Sequence, residues 1–275
     1  MAIKINFDEL CPCGSGRCYI DCHHKLFSKN NWRILKTEEV IIEIKSISKV
    51  IKEFYENNIS VYENKIFYVV NESTEKIVPS YDLKNATIIN TRTGKNYHVV
   101  IFDSINIGKA KDSIIAHEYY HVLLGENGFP LNFPKDLSSD NQVKIADTLN
   151  ETLQDPLIYC NLKSIFNVEE DFKYNLEKYK KYLDSIKLQD FESWRWVFTL
   201  SFVKTYLIQE VLFGKNDVTG FDAFIHEKCP DYRCKALKIL KMINKNGFDT
   251  PYKQNVVIKK FLKKYNLINH IDYRY

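Results

Sequence analysis

The chain has 275 residues, enough to bury a sizeable core in one or two domains. Its 45% hydrophobic and 27% charged content is ordinary for a soluble globular protein, and 14% aromatics with only nine glycines exclude a disordered chain. A net charge of +4 is too small to imply a nucleic-acid or membrane partner unless it is gathered into a patch.

The first residues, Met1 to Glu9, lack an apolar run ending in small residues, so no secretory signal is read and a cytoplasmic location is expected. Four of the seven cysteines then fall within the first 22 residues. Cys11-Pro12-Cys13 through Cys22-His23-His24 reads C-x-C-x8-C-H, a soft nitrogen and sulfur ligand set suited to tetrahedral zinc, and Gly14 and Gly16 allow a tight turn around an ion. So short a stretch has no core of its own, and metal binding is expected to supply its folding energy. The segment closely resembles the SEC-C motif, the zinc module at the tail of the SecA translocation ATPase. The resemblance implies a closed structural site on Cys11, Cys13, Cys22 and His23. Cys18 stands at a position that binds no metal in that pattern, and His24 replaces its usual glycine. It also implies a macromolecular partner for the module. Lys25, Lys29, Arg33 and Lys36, with Phe27 and Trp32 among them, form either a small basic–aromatic patch or a solvated face, so nucleic acid stays an open partner.

Residues 24–36 read as a connecting segment. Thr37 is a suitable N-cap, and Val40, Ile44, Ile47, Ile51 and Phe54 follow at helical spacing. Three strand-like runs come next, at 65–70, 86–90 and 96–103, with Thr93-Gly94-Lys95 supporting a hairpin turn between the last two.

Ser113 to Gly125 holds His117-Glu118-Tyr119-Tyr120-His121 inside an apolar-periodic run. On a helix, positions four apart share a face, so both imidazoles can aim at one metal ion, and Glu118 falls beside it as a base. Gly125 suits a position just past the helix end. The alternative is an amphipathic helix with two solvent-facing histidines. After a loop over 126–140, Asp140 is a candidate cap for a helix carrying Asn150-Glu151-Thr152-Leu153-Gln154-Asp155, which Pro156 should bend. Catalytic zinc needs a third protein ligand, for which Glu151 is a candidate, and Asp155 one turn on can hold an imidazole by its other nitrogen.

Together these two motifs resemble the thermolysin-like gluzincin metallopeptidases, which pair His-Glu-x-x-His with Asn-Glu-x-x-x-Asp. The resemblance covers residues 95–160. It implies zinc on His117, His121 and Glu151, Glu118 as general base, and Asp155 as the partner of His117. It also implies a zincin-like α+β fold whose edge strand, here 96–103, pairs with an extended peptide; a buried strand without a substrate role is the alternative. His98 reads as a strand surface residue. The family places an oxyanion-stabilising tyrosine in the region of 126–140, where this chain has none.

The remainder reads as helical. Phe172, Leu176, Tyr179, Leu183 and Ile186 mark one amphipathic helix, 191–213 a buried helix broken by too many charges to be a membrane span, and 233–245 and 254–264 two more. Between them His226, Cys229 and Cys234 make an incomplete third metal set, and His226, Tyr232 or Arg233 are candidate oxyanion stabilisers, although a loop with satisfied side chains fits the same residues.

The expected architecture is α+β: a metal module over 1–30, a subdomain over 31–125 with a small, mostly antiparallel sheet and the histidine helix, and a mainly helical subdomain over 126–275. The expected function is that of a zinc metallopeptidase with one catalytic and one structural zinc, acting on a peptide or protein. Two alternatives stay open: a regulatory or defence protease with one dedicated target, as in ImmA-like metalloproteases, and a non-enzymatic partner-binding protein in which zinc is structural.

Overall fold

A computed structural model describes residues 4–11, 16–72, 88–93, 97–136, 138–186, 194–214 and 219–274. The chain is α+β and mainly helical, and it divides into two compact units, Met1–Leu123 and Leu124–Tyr275.

The first unit is built on a four-stranded sheet. Its strands are β1 (Trp32–Ile34), β2 (Ile66–Asn71), β3 (Ile88–Thr93) and β4 (His98–Phe102), in the order β1-β2-β4-β3. β2 and β4 run parallel, with Phe67 opposite Val99 and Val69 opposite Ile101, while both outer pairings are antiparallel. Every residue of β4 is buried, as are the first five of β2, which is the pattern of strands covered on both faces. The segment expected as the peptide-binding edge is thus the interior strand β4, paired on both sides, and β3 is the edge beside it. His98, expected at the surface, is 1% exposed.

Residues alternate between the two faces of a strand. Phe67, Val69, Val99 and Ile101 share a core with Ile5, Cys11, Tyr19, Phe27 and Ile34, so the cysteine-rich N-terminal segment packs on the sheet. It does have a core, contrary to the sequence expectation, because the sheet supplies one. Residues 24–36 are not a linker either. They form a short helix, α1 (His24–Ser28), followed by β1.

On the opposite face Tyr68 meets Tyr119 of α4 (Asp112–Glu126), hydroxyl to hydroxyl at 2.9 Å. The long helix predicted from Thr37 is two helices, α2 (Thr37–Ile47) and α3 (Lys49–Asn58). Ser48 between them is extended, accepts the Ile51 N–H as N-cap, and donates its hydroxyl to Asp112 at the start of α4. Thr37 is itself helical, preceded by Lys36 with no side-chain cap. Gly125 also lies inside its helix, and the left-handed residue beyond the end is Gly128 at φ 76°.

The second unit comprises β5 (Leu131–Pro134), α5 (Asp140–Leu162), α6 (Val168–Ser185), α7 (Arg195–Phe213), α8 (Phe221–Lys228), α9 (Pro230–Asn246), α10 (Pro251–Lys264) and β6 (Ile271–Arg274). α7 is central, packed against both α5 and α9. Its length and apolarity also match a membrane span, and its buried residues include Phe198, Phe202, Tyr206 and Leu212. Ser139, not Asp140, caps α5 by accepting the Gln142 N–H, and the helix continues through Pro156. The predicted loop over 126–140 contains β5, which pairs with β6. The expected loop around 226–234 is almost wholly helical, with only Cys229 between α8 and α9.

Candidate metal centres

The N-terminal centre is assembled by a short ladder. Leu10 pairs with Cys18, the Cys11 N–H donates to the Arg17 carbonyl, and the Tyr19 N–H donates to that of Glu9. A single 3-10 turn over Tyr19–Asp21 then returns the chain so that Cys22 and His23 face Cys11. Nδ1 of His23 lies 3.3 Å from Sγ of Cys11 and 3.2 Å from Sγ of Cys22. An ion with Zn–S near 2.3 Å and Zn–N near 2.0–2.1 Å in tetrahedral geometry holds sulfur and nitrogen about 3.5 Å apart, so the donor atoms already sit near that spacing. All three lie within 4.8 Å of one another. Cys13, the expected fourth ligand, lies outside the described residues.

The surroundings favour the neutral, metal-binding form of His23. Burial first, and the Arg17 charge second, push the His23 pKa down, which keeps the imidazole neutral. The Arg17 guanidinium also donates to Cys22 Sγ at 3.5 Å. The imidazole is walled by Phe27 and Phe67, with ring centroids 5.6 and 4.9 Å away. Three members of the basic–aromatic set considered for this region have other engagements. Phe27 is core, Arg33 stacks over Phe7 at 3.9 Å and donates twice to the Ile5 carbonyl, and Lys36 pairs with Glu9 at 3.0 Å.

The histidine helix belongs to the first unit. Ile115, Tyr119 and Val122, at helical spacing, are fully buried and fix how α4 lies, and the Tyr119 hydroxyl is tied to Tyr68. His117 and His121 therefore share another face, both half-buried, with ring centroids 5.1 Å apart and planes at 75°. Glu118, between them in sequence, is also half-buried. Two imidazoles so placed fit two ligand positions of a zinc ion.

Glu151 and Asp155 lie one turn apart on α5 in the second unit, where Lys204 of α7 joins them. Its ammonium is 2.7 Å from Oε2 of Glu151 and 3.2 Å from Oδ2 of Asp155. Burial disfavours the Lys204 charge, but the two carboxylates more than offset it and raise its pKa. The Glu151 side chain is 42% exposed and that of Asp155 10%. The carboxylates thus fit a cation, and an ammonium group already serves as one. Asn150, the first residue of the second motif, has a definite task. Its side chain accepts from the N–H and Nδ2 of Asn132, each at 2.8 Å, and donates to the Asn132 carbonyl, fastening β5 to α5 beside Glu151.

The structure therefore brings His117 to His121 within one unit and Glu151 to Asp155 within the other. Lys204 is one of the charges that interrupt the apolar run over 191–213, and a lysine in a core helix calls for an anionic partner, although its spacing does not say which. Of the other residues considered, Arg233 is committed to a bidentate pair with Asp222, both bonds 2.7 Å, and Cys229 is buried with its thiol pushed up to about 11. Among the described residues no metal-binding group includes His226, Cys229 or Cys234.

Comparison with protein-family models, with curated proteins and with solved structures finds no match for this chain.

Proposed function

We propose that the chain is a zinc-dependent metallohydrolase of zincin-like architecture, a peptidase acting on a peptide or protein, with a second, structural zinc at its N-terminus. The reading is carried by the pairing of His117 and His121 on one helix face with Glu118 between them. Asn150-Glu151-x-x-x-Asp155 further along supplies the remaining groups the chemistry requires. His117, His121 and Glu151 are the residues to hold the catalytic ion. Cys11, Cys22 and His23 hold the structural one, with Cys13 as the fourth ligand.

When bound, zinc lowers the pKa of a coordinated water and polarises a substrate carbonyl. Glu118 takes the water's proton on its carboxylate and returns it to the leaving amine. Asp155 fixes the tautomer of His117, and Lys204 holds the Glu151 carboxylate in place. The test is Glu118→Gln, with zinc counted by native mass spectrometry and cleavage followed on a peptide library and on candidate protein targets. Zinc content should stay unchanged while cleavage disappears. A variant that cleaves at the wild-type rate removes Glu118 from the chemistry.

One observation favours a second reading. Lys204 already pairs with both Glu151 and Asp155, and where it keeps them from metal the chain retains only the N-terminal zinc and acts as a partner-binding protein. Full biological function in Glu118→Gln would support this alternative.

A further inference from the structure

The small net charge of the chain conceals an uneven distribution. Residues 233–264 contain ten lysines and arginines and one acid, Asp249, a surplus of nine where the whole chain carries +4. Asp249 is engaged by Lys253 at 2.8 Å. α9 and α10 pack together, and along them runs an open groove of about 710 Å³ lined by Lys238, Lys241 and Lys245 from one helix and Lys260, Lys263 and Lys264 from the other. All six are exposed, and among the described residues none has a carboxylate within ion-pair distance.

This arrangement works against the local stability of both helices. Lys241 and Lys245 are four apart, as are Lys260 and Lys264, and like charges at that spacing destabilise a helix by a few tenths of a kcal/mol per pair. Lys245, Lys263 and Lys264 gain from the helix dipole in their last turns, and a bound anion would relieve the repulsion that remains. The groove also has an aromatic border. Tyr265, at the end of α10, lies with its ring 5.4 Å from the Lys264 ammonium and packs on Trp196 at 4.8 Å.

We propose that the groove between α9 and α10 binds a single strand of nucleic acid by its phosphates. A chain of evenly spaced anions matches the two rows of ammonium groups that the two helices contribute to the groove. Tyr265, whose ring adjoins Lys264 of the groove, is an aromatic partner for a base, which favours nucleic acid over an acidic peptide. Lysines make point contacts with phosphate and no bidentate base contacts, so binding is indifferent to sequence. This surface is independent of the metallohydrolase reading, and either can fail without the other.

The test is fluorescence anisotropy of a labelled 20-nucleotide oligo-dT with the full-length, zinc-loaded chain. Six neutralised phosphates predict affinity falling roughly 300-fold between 50 and 200 mM salt, using the single-strand slope of about 0.7 per contact. Replacing Lys241, Lys245, Lys260 and Lys263 by Gln should abolish most binding at 50 mM salt and flatten its salt dependence, with the melting temperature unchanged or raised. A control variant with Lys52, Lys173, Lys178 and Lys181 replaced by Gln should bind like wild type. Absence of binding at 50 mM salt, equal loss in both variants, or binding to phosphatidylserine vesicles but not to oligo-dT would overturn the proposal.

Discussion

The ammonium of Lys204 lies 2.7 Å from the carboxylate of Glu151, the residue proposed as third ligand of the catalytic zinc. With Asp155 also at 3.2 Å, one lysine bridges two carboxylates on the same helix. Removing one partner of a mostly buried ion pair leaves charge uncompensated and is costly. Lys204→Met should therefore lower the stability of the chelator-treated protein by about 1–3 kcal/mol, less than a fully buried pair because Glu151 is partly exposed. Saturating zinc should shrink that loss, since a divalent ion then supplies the missing positive charge. Urea midpoints with chelator and with zinc make the comparison. An equal loss under both conditions would show that lysine and metal do not share the carboxylates.

Cys22 and His121 separate the two proposed ions. Native mass spectrometry should find two zinc ions in the wild type, one in Cys22→Ser, one in His121→Ala and none in the double variant. Deleting residues 1–30 is a poorer experiment, because Phe67, Val69, Val99 and Ile101 would lose the core they share with that segment. Two ions retained by His121→Ala would remove the histidine helix from metal binding.

Ser48 caps α3 and bonds to Asp112 at the start of the histidine helix. Ser48→Ala should cost about 1–2 kcal/mol, the upper part of the usual range for a lost cap because a second hydrogen bond goes with it. Chemical denaturation measures it directly. A change below about 0.3 kcal/mol would mean that neither bond contributes to the folded state.

Asp222 provides a pH-dependent test. The Arg233 fork holds its carboxyl below the usual range, against an opposing effect of burial and with help from the Tyr206 hydroxyl. A carboxyl with a depressed folded-state pKa contributes stability above its unfolded pKa, near 4, and loses it as pH falls through the folded value. Asp222→Asn should be less stable than wild type by about 1–2 kcal/mol at pH 7, with the gap closing below pH 4. Urea midpoints from pH 7 to pH 3 read this out. A gap of constant size would argue that the asparagine disturbs packing instead of the ion pair.

Much of the secondary structure was legible because its signals are local. The apolar spacing of Phe172, Leu176 and Leu183 gave α6, and the runs at 65–70 and 96–103 gave β2 and β4. What the sequence hid depends on distant partners. β5 contains Pro134 and shows no clear alternation, and it becomes a strand only through β6 nearly 140 residues later. β4 reads identically at an edge or in the middle of a sheet, and its parallel pairing with β2 settles its place. The break at Ser48 was visible as a capping residue in mid-helix, but unbroken apolar spacing from Val40 to Phe54 masked it. Of the two candidate centres, the ligand types follow from motif spacing. The Lys204 bond to Glu151 spans 53 positions and lies beyond any local pattern.

The packing of the cysteine segment on β2 and β4 also orders events in time. During synthesis Cys11 and Cys22 emerge first, but the wall formed by Phe67, Val99 and Ile101 follows only after about 80 more residues, roughly 4–16 s at ordinary translation rates. Throughout that interval two thiols stand beside an imidazole without a hydrophobic cover, exposed to oxidants and to whichever metal arrives. On the structural-zinc reading proposed above, an ion captured then is later backed by Phe67, and one missed then must enter a half-buried site. On that same reading, ribosome pausing before residue 101, or the zinc supply at that moment, would decide how much of the protein carries the proposed ion.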